Sequence, residues 1–226
     1  MVLRALERIT LMAFRIFPPA RRAWLVGVLR AYQTLFAYAN FVAGLALGRS
    51  PKLAFDWGMQ SFFLPRISPG ARVLDVGCGR GQLAEIVAER ARTVVAYDRD
   101  PTVLRDARRR GLPPSVLLFC GDAQDALPRG HFDVAILSSV LPFVRDARAL
   151  LEALAGVTDT LLVRETRYDR DFTVLVLESL DARPRTDPKA RREFTSSALA
   201  AELAAAGWRV VETLETFDIF VRAVRA

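Results

Sequence analysis

A doubly wound, largely parallel α/β sheet is the fold class this sequence predicts, on two observations. From about residue 70 onward, short apolar runs bounded by turn residues alternate with stretches of helical periodicity, the pattern of repeated strand–helix units. The sharpest example is Val73–Arg90, VLDVGCGRGQLAEIVAER. There an apolar pair meets Asp75, enters the glycine loop Gly77-x-Gly79-x-Gly81 and passes at once into a helical pattern.

The elements follow in order. Strands are expected near 72–76, 94–98, 115–119, 132–138 and 160–166, where apolar and β-branched residues run four to seven long. Helices are expected near 80–90, 101–110 and 145–155. Asp181–Arg192, charged and proline-bearing, reads as a surface loop. Thr195-Ser196-Ser197 offers a helix N-cap before Ala198–Ala206, and Gly207 offers the stop. Arg209–Thr216 and Asp218–Arg225 read as two final strands. Phe55–Ile67, punctuated by Pro65 and followed by Pro69-Gly70, reads as a link. It sets a boundary near residue 60, between an extension of residues 1–60 and a domain of residues 61–226.

Charge divides the chain at the same place. Residues 1–60 hold 8 bases and 2 acids, while residues 61–226 hold 24 bases and 23 acids. The basic excess therefore belongs to the extension. Two cysteines do not make a disulfide framework: Cys78 lies in the glycine loop, and Cys120 ends an apolar strand that reads as buried. With one histidine beside them, a structural metal site is not expected.

The glycine spacing narrows the ligand. A dinucleotide fingerprint places its third glycine at position 82, which is Gln82, and an acid two residues before the first glycine would meet a pyrophosphate with the wrong charge. Asp75 suits a cationic ligand better. No Gly-x-x-x-x-Gly-Lys-Ser/Thr run is present, so a P-loop is excluded.

Asp75-Val76-Gly77-Cys78-Gly79-Arg80-Gly81 resembles the first motif of the class I S-adenosylmethionine-dependent methyltransferases. Asp98, 21 positions after Gly77, resembles the acid ending their second strand. Gly121-Asp122-Ala123 resembles their adenine-contacting motif, and His131–Ser139 their fourth strand. The four blocks stand in the family's order, and the similarity covers residues 60–226. The resemblance implies a Rossmann-like seven-stranded sheet, mostly parallel, whose last two strands form an antiparallel hairpin. It implies S-adenosyl-L-methionine as cofactor and methyl transfer by in-line displacement.

Site roles come with the resemblance. Gly77, Cys78, Gly79 and Gly81 let backbone approach the amino-acid part of the cofactor, and Asp75 attracts its ammonium. Asp98 accepts from the ribose hydroxyls, Asp122 binds the adenine amino group, and Ala123 gives backbone contacts. Ser138 closes the cofactor set. The acceptor side falls at the carboxyl ends of the fourth and fifth strands, on Ser139, Val140, Pro142 and Phe143. Ser138-Ser139-Val140-Leu141 departs from the Asn/Asp-Pro-Pro-aromatic run of base-amino methyltransferases, which argues against that chemistry. General-base candidates are Glu165 and Tyr168, against the plainer readings of a solvated carboxylate and a surface tyrosine. His131 sits at the wrong end of its strand. Tyr32, Tyr38, Trp57 and Phe63 could line an apolar pocket beneath a cap, or simply pack.

Three roles fit the extension. Met1–Phe17 gathers Arg4, Glu7, Arg8 and Arg15 on an arc of about 100° opposite an apolar face. Pro18-Pro19 stops that helix, a second apolar stretch begins near Ala23, and Ala31–Gly48 carries no charge. The extension could cap the acceptor pocket, or residues 1–48 could lie in a lipid headgroup layer at the inner face of the membrane. A transmembrane span through Ala31–Gly48 sits at the lower length limit and is interrupted by Gln33, Thr34 and Asn40. Arg15 breaks the first apolar run, against a secretory signal, so a cytoplasmic protein is expected. Apolar cap helices can also pair between subunits, giving a homo-oligomer.

The favoured acceptor is a small apolar or lipid-like molecule. Two alternatives stand beside it: an RNA methyltransferase using the basic extension, and a non-catalytic binding module. Six of the eight extension bases lie in or beside apolar helical runs, against nucleic acid. The intact acids and glycines of the loop count against the module.

Overall fold

The computed structural model describes residues 20–47, 58–166, 194–216 and 218–226. These fall into two compact units, one holding residues 20–47 and the other the rest. The expected helix over Met1–Phe17, the surface loop Asp181–Arg192, Trp57 and Tyr168 lie outside the described residues.

The first unit contributes one helix, α1 (Ala20–Leu47), 28 residues and about 42 Å long. It begins just after Pro18-Pro19 and runs through the charge-free stretch without a break. Trp24, Val28, Leu35, Tyr38 and Val42 are exposed along it at spacings of three, four and seven, so they share one face. Among the described residues, no helix is long and apolar enough to cross a membrane.

The second unit is a seven-stranded sheet: β1 (Arg72–Val76), β2 (Thr93–Asp98), β3 (Val116–Cys120), β4 (Val134–Ser138), β5 (Thr160–Thr166), β6 (Trp208–Glu215) and β7 (Asp218–Arg225). The spatial order is β3-β2-β1-β4-β5-β7-β6. β1 to β5 pair in parallel, and β7 runs antiparallel to both β5 and β6, as the resemblance implies. Strand order reverses between β1 and β4, and a parallel sheet opens a crevice at the carboxyl ends of the strands at that point.

Helices cover both faces. On one, α2 (Met59–Phe63), α3 (Gln82–Val87) and α4 (Pro101–Arg109) bury Phe62, Phe63, Ile86 and Leu104 against Val73, Ile136 and Phe220. On the other, α5 (Ala147–Leu154) and α6 (Ser196–Ala205) bury Leu150, Leu151, Leu199 and Leu203 against Leu74, Leu137, Val163 and Trp208. Strand residues alternate between the two layers because β side chains alternate faces. The Trp208 indole donates to the Leu151 carbonyl at 2.9 Å, so its one polar atom is satisfied in the core. Helix ends follow the sequence signals. Asp100, Asp146 and Thr195 accept from the amides of Thr102, Ala149 and Ala198, and Gly207 follows α6 at φ 80°.

Three expectations need correction. Part of the link Phe55–Ile67 is a core helix, α2; of the two readings for Phe63 the structure has packing, fully buried against Phe62 and Phe220. β3 is the sheet edge, so Cys120 is exposed, as are Leu117 and Phe119. Leu117 and Phe119 share one face of β3, and Cys120 lies on the other at the strand's end. Glu165 is fully buried, not a solvated carboxylate.

Candidate cofactor and acceptor site

The loops that follow β1, β2, β3 and β4 meet at the crevice, and hydrogen bonds join them. Gly77 and Cys78 donate their amides to the Tyr97 carbonyl at 2.7 and 3.2 Å, tying the glycine loop to β2. Gly121 donates to the Asp98 carbonyl at 3.0 Å, tying the loop after β3 to the same strand. Ser139 donates to the Arg164 carbonyl at 2.8 Å, tying the loop after β4 to β5. Gly77, Gly79 and Gly81 all have positive φ, at 71°, 54° and 73°. L side chains rarely adopt such a loop, which accounts for three glycines in five residues.

The acids take distinct positions around this loop. Asp98 bridges two turns, accepting from Gly79 N–H at 2.8 Å through Oδ2 and from Asp100 N–H at 2.9 Å through Oδ1. A carboxylate offers about four lone-pair sites, so these two bonds leave capacity for hydroxyl donors. Asp75 is buried beneath the loop and its Oδ2 has no hydrogen-bond partner. Burial first, and the nearby Asp98 charge second, push its carboxyl up to about 7. Burial and then the charges of Asp75 and Asp98 also push the Cys78 thiol up, so it stays protonated. Asp122 accepts from Gln124 N–H at 3.0 Å and from Gln124 Nε2 at 3.3 Å, with Arg99 Nη1 at 3.6 Å. Burial pushes its carboxyl up. The Gln124 bonds and the Arg99 and Arg145 charges outweigh that and hold it below the usual carboxylate range. Ala123, beside it, is half-buried.

On the acceptor side, β4 ends at Ser138, and Leu141–Phe143 forms a 3-10 turn. Ser138, Ser139, Val140, Pro142 and Phe143 are half-buried at the carboxyl end of β4, where sequence reasoning expects them. Glu165 lies beneath this turn and accepts from the Val140 and Leu141 amides, both at 3.1 Å. Tyr38 belongs to α1, in the other unit. His131 precedes β4, exposed and 3.5 Å from Asp159, at the opposite end of the sheet from the crevice. Among the described residues, no group of three or more His, Cys, Asp or Glu could hold a metal ion.

These donors fit S-adenosylmethionine. An unpartnered acid beneath the glycine loop suits an ammonium. Nothing lies within 4 Å of where a Cβ on Gly79 would stand, so a ligand can approach that backbone. Asp98 has acceptor capacity for a diol.

Known proteins agree with this geometry. The methyltransferase domain family matches residues 74–160, from β1 to the start of β5. Over these residues the chain matches a methyltransferase domain, and its fold is that of the class I S-adenosylmethionine-dependent methyltransferases. A ubiquinone biosynthesis O-methyltransferase of Xanthomonas campestris pv. campestris is 30% identical over 158 residues, covering 67% of this chain and 65% of that protein. The chain thus spans just under two thirds of that relative's length. A probable ribosomal RNA small subunit methyltransferase A of Pyrobaculum islandicum is 30% identical over 137 residues, 58% of this chain and 51% of that one. The magnesium protoporphyrin IX methyltransferase of Synechocystis, solved with bound S-adenosylhomocysteine, shares the fold at TM-score 0.57 and 19% identity. It covers 89% of this chain and 84% of that one.

Sequence reasoning passes over four residues around the crevice. Arg99 follows Asp98 directly but faces Asp122. Gln124 holds Asp122 and also accepts from the Arg145 amide at 2.6 Å. Arg164 and Asp218 pair across β5 and β7. Gln124 could have been found from its place two residues after the aspartate, where an Asx turn closes. The Arg164–Asp218 pair has no local signal, because it depends on strand register.

Proposed function

We propose that this chain transfers a methyl group from S-adenosylmethionine to a small, apolar acceptor of quinol-like or lipid-like character, at a membrane surface touched by its extension. The observation that carries the acceptor class is the segment after β4. Val140, Leu141, Pro142 and Phe143 stand where base-amino methyltransferases place a polar, proline-paired run. The name of the quinone-pathway relative supports the same class, and so does the apolar face that α1 exposes along its length.

The cofactor, when bound, supplies a sulfonium-activated methyl group. The chain's own residues bind, orient and exclude water. Asp75 offers its carboxylate to the ammonium, Asp98 accepts from the ribose, and Asp122, kept ionised by Gln124 and Arg99, accepts from the adenine amine. Half-buried Val140, Pro142 and Phe143 give an acceptor an apolar wall, and holding two reactants in line is most of what such a transfer asks of a protein.

The test is methyl transfer from labelled S-adenosylmethionine to three acceptors: a quinol with a short isoprenoid tail, the same ring without the tail, and a structured RNA. Each is assayed with and without vesicles of anionic phospholipid. Turnover of the tailed quinol, raised by vesicles, is the expected result. Turnover of the RNA alone, with salt-sensitive binding, would establish the nucleic-acid alternative instead.

A further inference from the structure

Ser139 is the non-glycine residue with positive φ, 57°, among the described residues. Such a backbone persists where its surroundings over-determine it, and such outliers gather at functional sites. The surroundings here are specific. Arg164 grips Ser139 twice: its carbonyl accepts the Ser139 amide at 2.8 Å, and its Nη1 donates to Ser139 Oγ at 2.9 Å. Arg164 is itself held by Asp218 of β7, whose Oδ2 accepts from Nε at 2.8 Å and also from Nη2. Both partners of this ion pair are largely buried, with side-chain exposures of 12% each.

The next two residues are held from below. Oε1 of Glu165 takes the amides of Val140 and Leu141, while its Oε2, also buried, has no partner. Val140 in turn packs on the glycine loop, with Cγ2 in the space that a Cβ on Gly77 would need. Three consecutive loop residues are therefore fixed by three side chains of β5 and β7, and the loop they shape abuts the cofactor loop.

We propose that Glu165, Arg164 and Asp218 form a positioning bracket that presses Ser139–Leu141 against Gly77, so that acceptor wall and cofactor loop are set by one device. Glu165 then acts as a positioning residue rather than a general base: its bonded oxygen is committed to two backbone amides, and the side chain is shut off from solvent. This rests on the reading that the crevice takes S-adenosylmethionine.

The bracket is tested in the full chain by amide hydrogen exchange at residues 139–141, together with calorimetric titration of S-adenosylhomocysteine. Glu165→Ala strands two buried amides, so exchange at 140 and 141 should rise and ligand affinity should fall roughly tenfold or more. Glu165→Gln keeps an acceptor oxygen and should restore both, whereas Glu165→Met, which fills similar space without that acceptor, should not. Should Glu165→Ala fail to fold by circular dichroism, Arg164→Lys carries the test, because it removes the fork holding Ser139 and should raise exchange at 139 and 140. Wild-type exchange and wild-type affinity in the folded variant would overturn the bracket. If the wild-type protein binds no S-adenosylhomocysteine, the cofactor reading fails, and the exchange result alone still decides the bracket.

Discussion

Val140 fills the space beside Gly77: a Cβ built on that glycine would lie 2.6 Å from Val140 Cγ2. Gly77 also has φ of 71°, which a side chain would strain. Gly77→Ala should therefore weaken S-adenosylhomocysteine binding through both clash and strain. Adding Val140→Ala should recover the clash part only. Calorimetry on the single and double variants, read as a double-mutant cycle, checks this; strict additivity would mean the two residues do not couple.

Asp75 gives cofactor binding a pH signature. Burial and Asp98 hold its carboxyl at about 7 in the free protein, so near neutrality it is only partly ionised. A cationic ligand favours the carboxylate, so binding should release protons and tighten as pH rises from about 6 to 7.5. Titration in buffers of different ionisation heat should report that release, and Asp75→Asn should abolish both effects.

Folding stability should carry the opposite slope. In the folded chain burial raises Asp75 to about 7 and Glu165 to about 8, while both ionise in the ordinary carboxylate range when unfolded. For Glu165 the Val140 and Leu141 amides and Arg164 oppose that rise, and Asp218 adds to it. Between those limits the folded state holds protons that the unfolded state has released. This contribution to stability is therefore present at low pH and lost as pH climbs to about 8. Urea midpoints measured from about pH 5 to pH 8 should show Glu165→Gln gaining on the wild type as pH rises. An unchanged difference would contradict the burial argument.

Asp122 is held ionised mainly by Gln124, and its proposed role is to accept from the adenine amine. Asp122→Ala should cost S-adenosylhomocysteine affinity about tenfold while leaving the analogue deaminated at the adenine almost unaffected, since that analogue offers no amine. Equal losses for both ligands would assign Asp122 to loop structure alone. Gln124→Ala should give a smaller loss, by loosening Asp122 and the Arg145 amide together.

The strands and glycine loop were legible in the sequence because their signals are local. A run such as Thr93–Asp98 shows its own period, and Gly77, Gly79 and Gly81 mark the positive-φ positions that they occupy. The N-cap at Thr195 is equally local, a hydroxyl accepting the Ala198 amide at 3.2 Å. Asp75, Asp98 and Asp122 stand out because each ends or follows a strand, which by topology brings them to one crevice.

By itself, then, the sequence determined the order of elements, the doubly wound class and the acids around the glycine loop. Only the tertiary structure decided which strand lies at the edge, what α2 packs against and what Glu165 does. Cys120 ends an apolar strand, and its exposure follows from that strand's place at the edge of the sheet. Phe63 is 157 positions from Phe220, and Arg164 pairs with Asp218 across 54. Such contacts depend on strand order and register, which no short window contains. Burial then inverts the chemistry of a side chain: on paper Glu165 is an acid in solvent, while in the fold it is a buried hook for two backbone amides.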